Sequence, residues 1–464
     1  MSVENTHFGA LKIASALENC KSVYFIGIGG ISMSALARMS VLAGFRAGGS
    51  DRSDSALIRA LKRDGIEVFG EHDAKHIEGY DAVVYTVAIG EDNPEYQAAK
   101  RKGLPLFSRS DYLNYLMTGY PIRVGIAGMH GKSTCTAMSS RIFAAQGDPT
   151  VLCGAVLPEV QSVCRIGQKD QPFVFEACEY MDSFLDFSPT LAVVLNVRMD
   201  HVDYFHSMEQ IRASFLAYAR RTGEQGTVLY NADDIESVRA LEPFEGKKVT
   251  FGITSKADFC ARDICSDRNG TSFVLYQGEQ PLGKISLQVY GEHMVYNALA
   301  AAGAAILSGI SISTIQKGLA AFVGAGRRME RKGKVGGAVV YDDYGHHPDE
   351  IAATLAGAKK MGFSRILCAY QPHTYSRTAG LLEEFSVAFG DADRVYFADI
   401  YAAREENVYG VSSALLAERV GSKATYCGSF EAVANAIRQE AREGDLVIVM
   451  GAGDIYKVFD LLLD

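Results

Sequence analysis

The sequence predicts an α/β protein of three domains, each built on a largely parallel sheet. Apolar, β-branched runs alternate with helical patterns along nearly the whole chain, as layered α/β architecture requires. The same order of parts also restarts three times: an apolar strand, a turn, a helix. It is read in SVYFIGIGGISMSALARMSVLAG, in IRVGIAGMHGKSTCTAMSSRIFAAQG and in GAVVYDDYGHHPDEIAATLAGAKKMG. A chain of 464 residues is too long for one ordinary core. Glycine, proline and charge gather at LMTGYPIRV near 117–123 and at FVGAGRRMERKGKVGG over 322–337, which sets the expected units at 1–118, 119–325 and 326–464.

The first restart places Gly27, Gly29 and Gly30 after a strand, with Ser32 where GxGxxG has its third glycine. Asp51, in GSD, follows at the distance of a ribose partner. Such a loop serves any diphosphate, so NAD and a nucleotide sugar both stand. His72, Asn93 and Arg109 are the polar candidates downstream.

The second restart reads G-x-x-G-x-x-G-K-S, from Gly125, Gly128 and Gly131 to Lys132 and Ser133. Glycines let backbone N–H groups approach phosphate oxygens, and the start of the following helix adds more of them. Lys132 is placed to reach β and γ phosphates, and the Ser133 hydroxyl to ligate Mg2+. The spacing departs from GxxxxGK[ST], because Ile126 stands where the first glycine belongs. ATP or GTP is expected, and no NKxD-type guanine signature is found. Metal partners should come from neighbouring strand ends. Glu176, with Glu179 and Asp182 behind it, ends one strand, and Asn196, Asp200, His201 and Asp203 follow another.

The third restart gathers Asp342, Asp343, Tyr344, His346 and His347 after a strand. Adjacent imidazoles point in different directions, so one is expected to face a ligand and the other to be structural, with Pro348 opening a helix. AYQPHTYSRT adds His373 and Arg377, a reader of carboxylate or phosphate. LVIVMGAGDIYKV closes the chain with a last strand and glycine loop.

Composition narrows the setting. A net charge of −9 argues against a general nucleic-acid binder, whose affinity rests on clustered Lys and Arg. The nine cysteines include no CxxC pair and are odd in number, which predicts a reducing, cytoplasmic compartment. The first twenty residues carry Glu4 and Glu18 and lack an unbroken apolar core, so no secretory leader is expected. No apolar run reaches the length of a membrane span.

In this order and spacing, GIGG, GMHGKST, NVRMDHVDYF, GEHMVYNALAA, DDYGHHPDEI and QPHTYSRT resemble the Mur ligases, over residues from about 21 to 458. The resemblance implies a Rossmann-like N-terminal domain for a UDP-sugar, a central P-loop ATPase with a mainly parallel sheet, and a Rossmann-like C-terminal domain that closes and binds an amino acid. It implies an ATP-dependent ligase of peptidoglycan precursor synthesis, joining L-alanine to the lactyl carboxylate of UDP-N-acetylmuramate through an acyl phosphate. Two other readings stand beside it: a related ligase that attaches a preformed murein peptide, and an NAD-dependent oxidoreductase using the first glycine loop.

Carried over by position, the resemblance puts Gly128, His130, Gly131, Lys132, Ser133, Thr134 and Asp342 around ATP, with Asn297 at the adenine and Arg327 toward the phosphates on closure. Ser133, Glu176 and His201 are the implied ligands of two Mg2+ ions. Gly29, Gly30, Asp51, His72 and Asn93 fall where the UDP-sugar is expected. His201, Tyr344, His347, His373 and Arg377 fall around the alanine and the reacting carboxylate. Lys132, Arg327 and His347 are the implied catalytic groups, His347 assisting loss of the amine proton. Met129, Met294 and Thr374 stand where the family usually has threonine, asparagine and arginine. Cys178 and Met181 replace acidic residues, which concentrates the metal role on Glu176 and leaves Glu179 secondary.

Overall fold

The computed structural model describes residues 3–201, 204–267, 270–403 and 405–463. The first sheet has five parallel strands, in the order Glu67–Phe69, Arg46–Ser50, Ser22–Ile26, Ala82–Tyr85 and Leu106–Ser108. Strand order reverses beside Ser22–Ile26, so the crevice past the ends of Ser22–Ile26 and Ala82–Tyr85 is the switch point where open sheets of this kind take ligands.

The central sheet has ten strands. Its parallel body runs from Phe259–Asp267 through Lys247–Gly252, Thr227–Asn231, Leu191–Val194, Arg123–Ala127 and Phe173–Glu176 to Thr150–Leu157. Antiparallel strands extend both edges: Gly270–Gln277 and Gln280–Leu287 on one side, Ser162–Arg165 on the other. The turn between Gly270–Gln277 and Gln280–Leu287 needs Gly278, whose φ is +58°. Helix Lys132–Gln146 packs beneath the sheet against the alanine-rich helix Glu292–Leu307 and against Ile312–Ala320. The last contact is close: a Cβ on Gly318 would come within 2.5 Å of the Ile142 Cα.

The third sheet has six strands, in the order Glu330–Val335, Ala338–Asp343, Leu446–Met450, Ile366–Tyr370, Arg394–Ala398 and Ala424–Gly428. Only its first pair is antiparallel. Leu446–Met450 and Ile366–Tyr370 are buried throughout, as the centre of a sheet covered on both faces should be. Loops from this sheet meet loops from the central one, so the site lies between the second and third domains. No helix among the described residues is long and apolar enough to cross a membrane. All nine cysteines are free.

Candidate active site

The loop from Gly128 to Gly131 turns from strand Arg123–Ala127 into helix Lys132–Gln146, and Gly128 and Gly131 both take positive φ, +140° and +86°. A side chain at 131 is excluded twice over, because its Cβ would lie 2.5 Å from the Asn297 Oδ1. Asn196 clamps the loop from the adjacent strand end. Its Oδ1 accepts the His130 N–H and its Nδ2 donates to the His130 carbonyl, both at 2.9 Å.

Lys132 is anchored at the head of the helix. Its Nζ donates to the Gly128 carbonyl at 2.6 Å and stands 2.9 Å from each Glu179 oxygen. Glu179 has no exposed surface. His201 Nε2 approaches the same carboxylate at 3.3 Å. Burial would lower the Lys132 pKa, but Glu179, Cys178 and Glu176 override it and raise it. Burial likewise pushes Glu179 up, and Lys132 and His201 bring it below the usual carboxylate range. Ser133 Oγ donates to Glu176 at 2.9 Å, and Glu176 also accepts the Gly154 N–H at 2.7 Å. Glu179, ranked secondary on sequence, is thus the carboxylate that joins Lys132 to His201. Asp203 lies outside the described residues.

Two cavities meet at this loop. The smaller, about 410 Å³, is lined by His130, Gly131, Thr134, His293, Asn297 and Arg328 among others. The larger, about 840 Å³, is lined by Lys132, Ser133, Glu176 and His201 on the central side and by Arg327, Tyr344, His346, His373 and Arg377 on the C-terminal side. Gly131, Arg328 and Glu350 border both.

The two adjacent histidines take different jobs. The Nδ1 of His346 stands 3.2 Å from the Tyr344 carbonyl and 3.3 Å from the Glu350 carboxylate, both acceptors, so it carries the proton and Nε2 keeps a lone pair. His346 lines the larger cavity. His347 caps helix Pro348–Lys359, its Nδ1 accepting the Asp349 N–H at 3.3 Å. A backbone N–H can only donate, so His347 Nε2 bears the proton; that ring packs 4.6 Å from His130. His347, expected to face the amino acid, lines neither cavity, and of the two it is His346 that borders the larger one.

Arg327 lines the larger cavity, and Asp342 lies behind it. The Arg327 guanidinium donates to the Gly451 carbonyl at 2.6 Å, pairs with the buried Asp342 at 3.3 Å and packs beside Tyr344 and Tyr456. Asp342 lines neither cavity and meets them only by way of its pair with Arg327. Arg328, passed over in the sequence, is the arginine bordering both cavities. Its partner Glu350, 3.8 Å away, also holds His130 Nδ1 at 3.2 Å and accepts the His346 N–H at 3.0 Å. Burial raises the Glu350 pKa, but His346, His130 and Arg328 take it well below the ordinary value.

A second bridge joins the domains. Arg377 Nε and Nη2 donate to Asp200 Oδ1 at 3.2 and 3.1 Å, and Nη1 lies 3.2 Å from His373 Nδ1. Burial works against the Asp200 charge, but Arg377 outweighs it and lowers the pKa.

Three imidazoles bordering the cavities, His293, His346 and His373, are held down to about 4, by burial first in each case. Unfolded, they titrate near about 6.5. Between these values the unfolded chain binds more protons, so their contribution to stability is complete above about 6.5 and is lost as the pH falls toward about 4. Asp343, pushed up to about 6 by burial, works in the opposite sense over its own window, from about 3.9 unfolded to about 6 folded. Burial also holds His347 down and pushes Asp342 up, so four lowered imidazoles stand against two raised carboxyls. The thermal midpoint is therefore expected to climb from about pH 5 to about pH 7; a flat or falling midpoint in a calorimetric series would refute neutral imidazoles here.

In the N-terminal domain, Asp51, His72 and Asn93 line one cleft of about 400 Å³ at the switch point. Asp51 Oδ2 accepts the Gly29 N–H at 2.9 Å and Oδ1 accepts the Ser53 N–H at 2.9 Å. Gly30 is the N-cap of helix Ile31–Leu42.

Comparison with known proteins agrees with this architecture along the chain. Family models match three segments: "Mur ligase family, catalytic domain" over residues 22–121, "Mur ligase middle domain" over 126–305, and "Mur ligase, glutamate ligase domain" over 327–453. The UDP-N-acetylmuramate–L-alanine ligase of Acetivibrio thermocellus is 43% identical over 449 residues, covering 96% of each chain. The enzyme of the same name from Clostridium novyi is 40% identical over 451 residues, 96% of this chain and 98% of that one. Among solved structures, the UDP-N-acetylmuramate-alanine ligase of Thermotoga maritima superposes with a TM-score of 0.77 at 26% identity, covering 95% of this chain and 97% of that one.

Proposed function

The chain belongs to the Mur ligase family, and from that premise we propose that it joins L-alanine to the lactyl carboxylate of UDP-N-acetylmuramate at the expense of ATP. The observation that carries the reading is the junction of the two cavities. A nucleoside-sized pocket opens at Gly131 onto a larger chamber where Lys132 and Ser133 face His346, His373 and Arg377. Phosphoryl transfer and amide formation can share that chamber.

A carboxylate is a poor electrophile, so it must be activated. One carboxylate oxygen attacks the γ-phosphorus of ATP, ADP leaves, and an acyl phosphate forms. The alanine amine then attacks the acyl carbon, and phosphate leaves as the amide forms. The first step asks the protein for positioning and charge neutralisation. Lys132, fixed on Glu179 and on the loop carbonyls, supplies a cation with one orientation. Arg328 borders both cavities, and Arg327 stands on the rim of the larger one.

Ser133 and Glu176 offer a hydroxyl and a carboxylate 2.9 Å apart, a hard oxygen set that suits Mg2+. A Cβ on Gly154 would fall 2.7 Å from that carboxylate, so the cradle around it is built for a bare backbone. His201, on the same cavity wall, would be the third ligand, and Mg2+ held there would neutralise charge on the transferring phosphate. In the second step the amine must shed a proton. His346 Nε2 holds the lone pair that faces the chamber, while Arg377 and His373 hold the alanine carboxylate. Asp51, His72 and Asn93 take the sugar nucleotide. Nine free cysteines support a cytoplasmic setting.

The relatives favour neither of the other readings.

The test is phosphate release from Mg-ATP with UDP-N-acetylmuramate, with and without L-alanine. Release that requires both, with a new amide found by mass, is the expected outcome. Release only with a preformed peptide would move the activity to the peptide-attaching ligase, and none with either would overturn the reading.

A further inference from the structure

A buried carboxylate beneath the N-terminal cleft has no part in the chemistry described above. Glu95 has no exposed surface. Its Oε1 accepts the Tyr24 hydroxyl at 2.6 Å and lies 3.4 Å from His76 Nδ1. Its Oε2 accepts the Ser50 hydroxyl at 2.6 Å and stands 2.8 Å from His72 Nδ1. Groups from two strands, a loop and a 3-10 turn therefore converge on one carboxylate. Burying such a charge is costly, and a core that needed only filling is served as well by an apolar side chain.

His72 differs from the other three partners. It lines the cleft, and its side chain is 11% exposed. An ionised carboxylate can only accept. His72 must then turn its Nδ1–H inward, and Nε2 is left for the cleft. Asn93 is fixed in the same manner: its Oδ1 accepts the Glu95 and Tyr96 N–H groups at 3.0 and 3.1 Å, which leaves its amide N–H donors.

We propose that Glu95 is a positioning residue for the sugar nucleotide, holding the His72 ring with Nδ1 inward so that Nε2 meets the ligand in one orientation. The ligand's identity rests on the function proposed above; the hold on His72 does not. A role in folding alone is the competing account, and a double-mutant cycle separates the two.

Calorimetric titration of UDP-N-acetylmuramate into the full chain is compared for wild type, Glu95→Gln, His72→Ala and the double variant. Glu95→Gln is expected to weaken binding by about tenfold in the wild-type background, as when a charge-assisted hydrogen bond becomes a neutral one. It is expected to add less than about twofold once His72 is gone. In steady state the loss should fall on the KM of the sugar nucleotide and not on kcat. Equal weakening in both backgrounds, or none in either, overturns the proposal. Imidazole 15N spectra of the wild type, with the His72 signal assigned by its loss in His72→Ala, decide the matter should Glu95→Gln not fold; an unprotonated Nδ1 overturns it. A wild type that ignores UDP-N-acetylmuramate would instead count against the substrate.

Discussion

Lys132→Met is expected to reduce ATP-dependent product formation by about a thousandfold, the order seen when a group stabilising charge in a transition state is removed. It should also destabilise the protein, for a reason separate from catalysis. Lys132 Nζ stands 2.9 Å from both oxygens of Glu179, which is fully buried. Removing one member of a buried pair leaves the other uncompensated, at a cost of about 3–5 kcal/mol. His201, at 3.3 Å, is the remaining group that can share the charge. The two effects are separable. Adding Glu179→Gln to Lys132→Met removes the stranded charge, so the thermal midpoint should recover while turnover does not. Phosphate release and calorimetry on the single and double variants read both. Turnover within about tenfold of wild type in Lys132→Met would refute the phosphate-loop assignment. An unchanged midpoint would refute the electrostatic account of Glu179.

Much of this arrangement is legible in the sequence, and what is not has physical reasons. The three strand–turn–helix restarts stand as three sheets because glycine turns and apolar runs are local signals. The antiparallel strands at one edge of the central sheet carry glycine turns too, at Gly270 and Gly278, but which strands they pair with is set by tertiary packing. Residues named from a dense motif, Lys132, Ser133, Glu176, His373 and Arg377, line one cavity together. Those whose role depends on a partner far along the chain were missed. Glu350 meets His130 across 220 positions of sequence, and Arg328 is set apart from the adjacent Arg327 by bordering both cavities. The exchange between His346 and His347 has the same origin. Both fit the motif equally, and the Asp349 amide decides between them. One signal was available. His347 followed by Glu350 at N3 has the spacing of a capping box, which marks the second histidine as the helix cap.

The other large effect is expected at Arg377. Its guanidinium spans the domain interface: two nitrogens donate to Asp200 Oδ1 from the central domain, and the third lies against His373. Both Arg377 and Asp200 are buried, so the pair is shielded from solvent and strongly geometric. Asp200 is held in turn, its Oδ1 accepting the His201 N–H at 2.7 Å. Arg377→Ala therefore strands an anion next to a proposed metal ligand and removes the fork expected to hold the alanine carboxylate. The kcat/KM for alanine should fall by about a hundredfold or more, equivalent to the roughly 3–5 kcal/mol of a broken buried pair. Arg377→Lys should not restore it, because an ammonium is a point charge and cannot reproduce two planar donors on one oxygen with a third nitrogen at the imidazole. Asp200→Asn tests the other half. It keeps the shape of the contact and removes its charge, so if Arg377 serves the domain interface before it serves the substrate, this variant should share most of the defect. A variant that loses alanine use only with Arg377→Ala would place the guanidinium on the substrate and make Asp200 its resting partner.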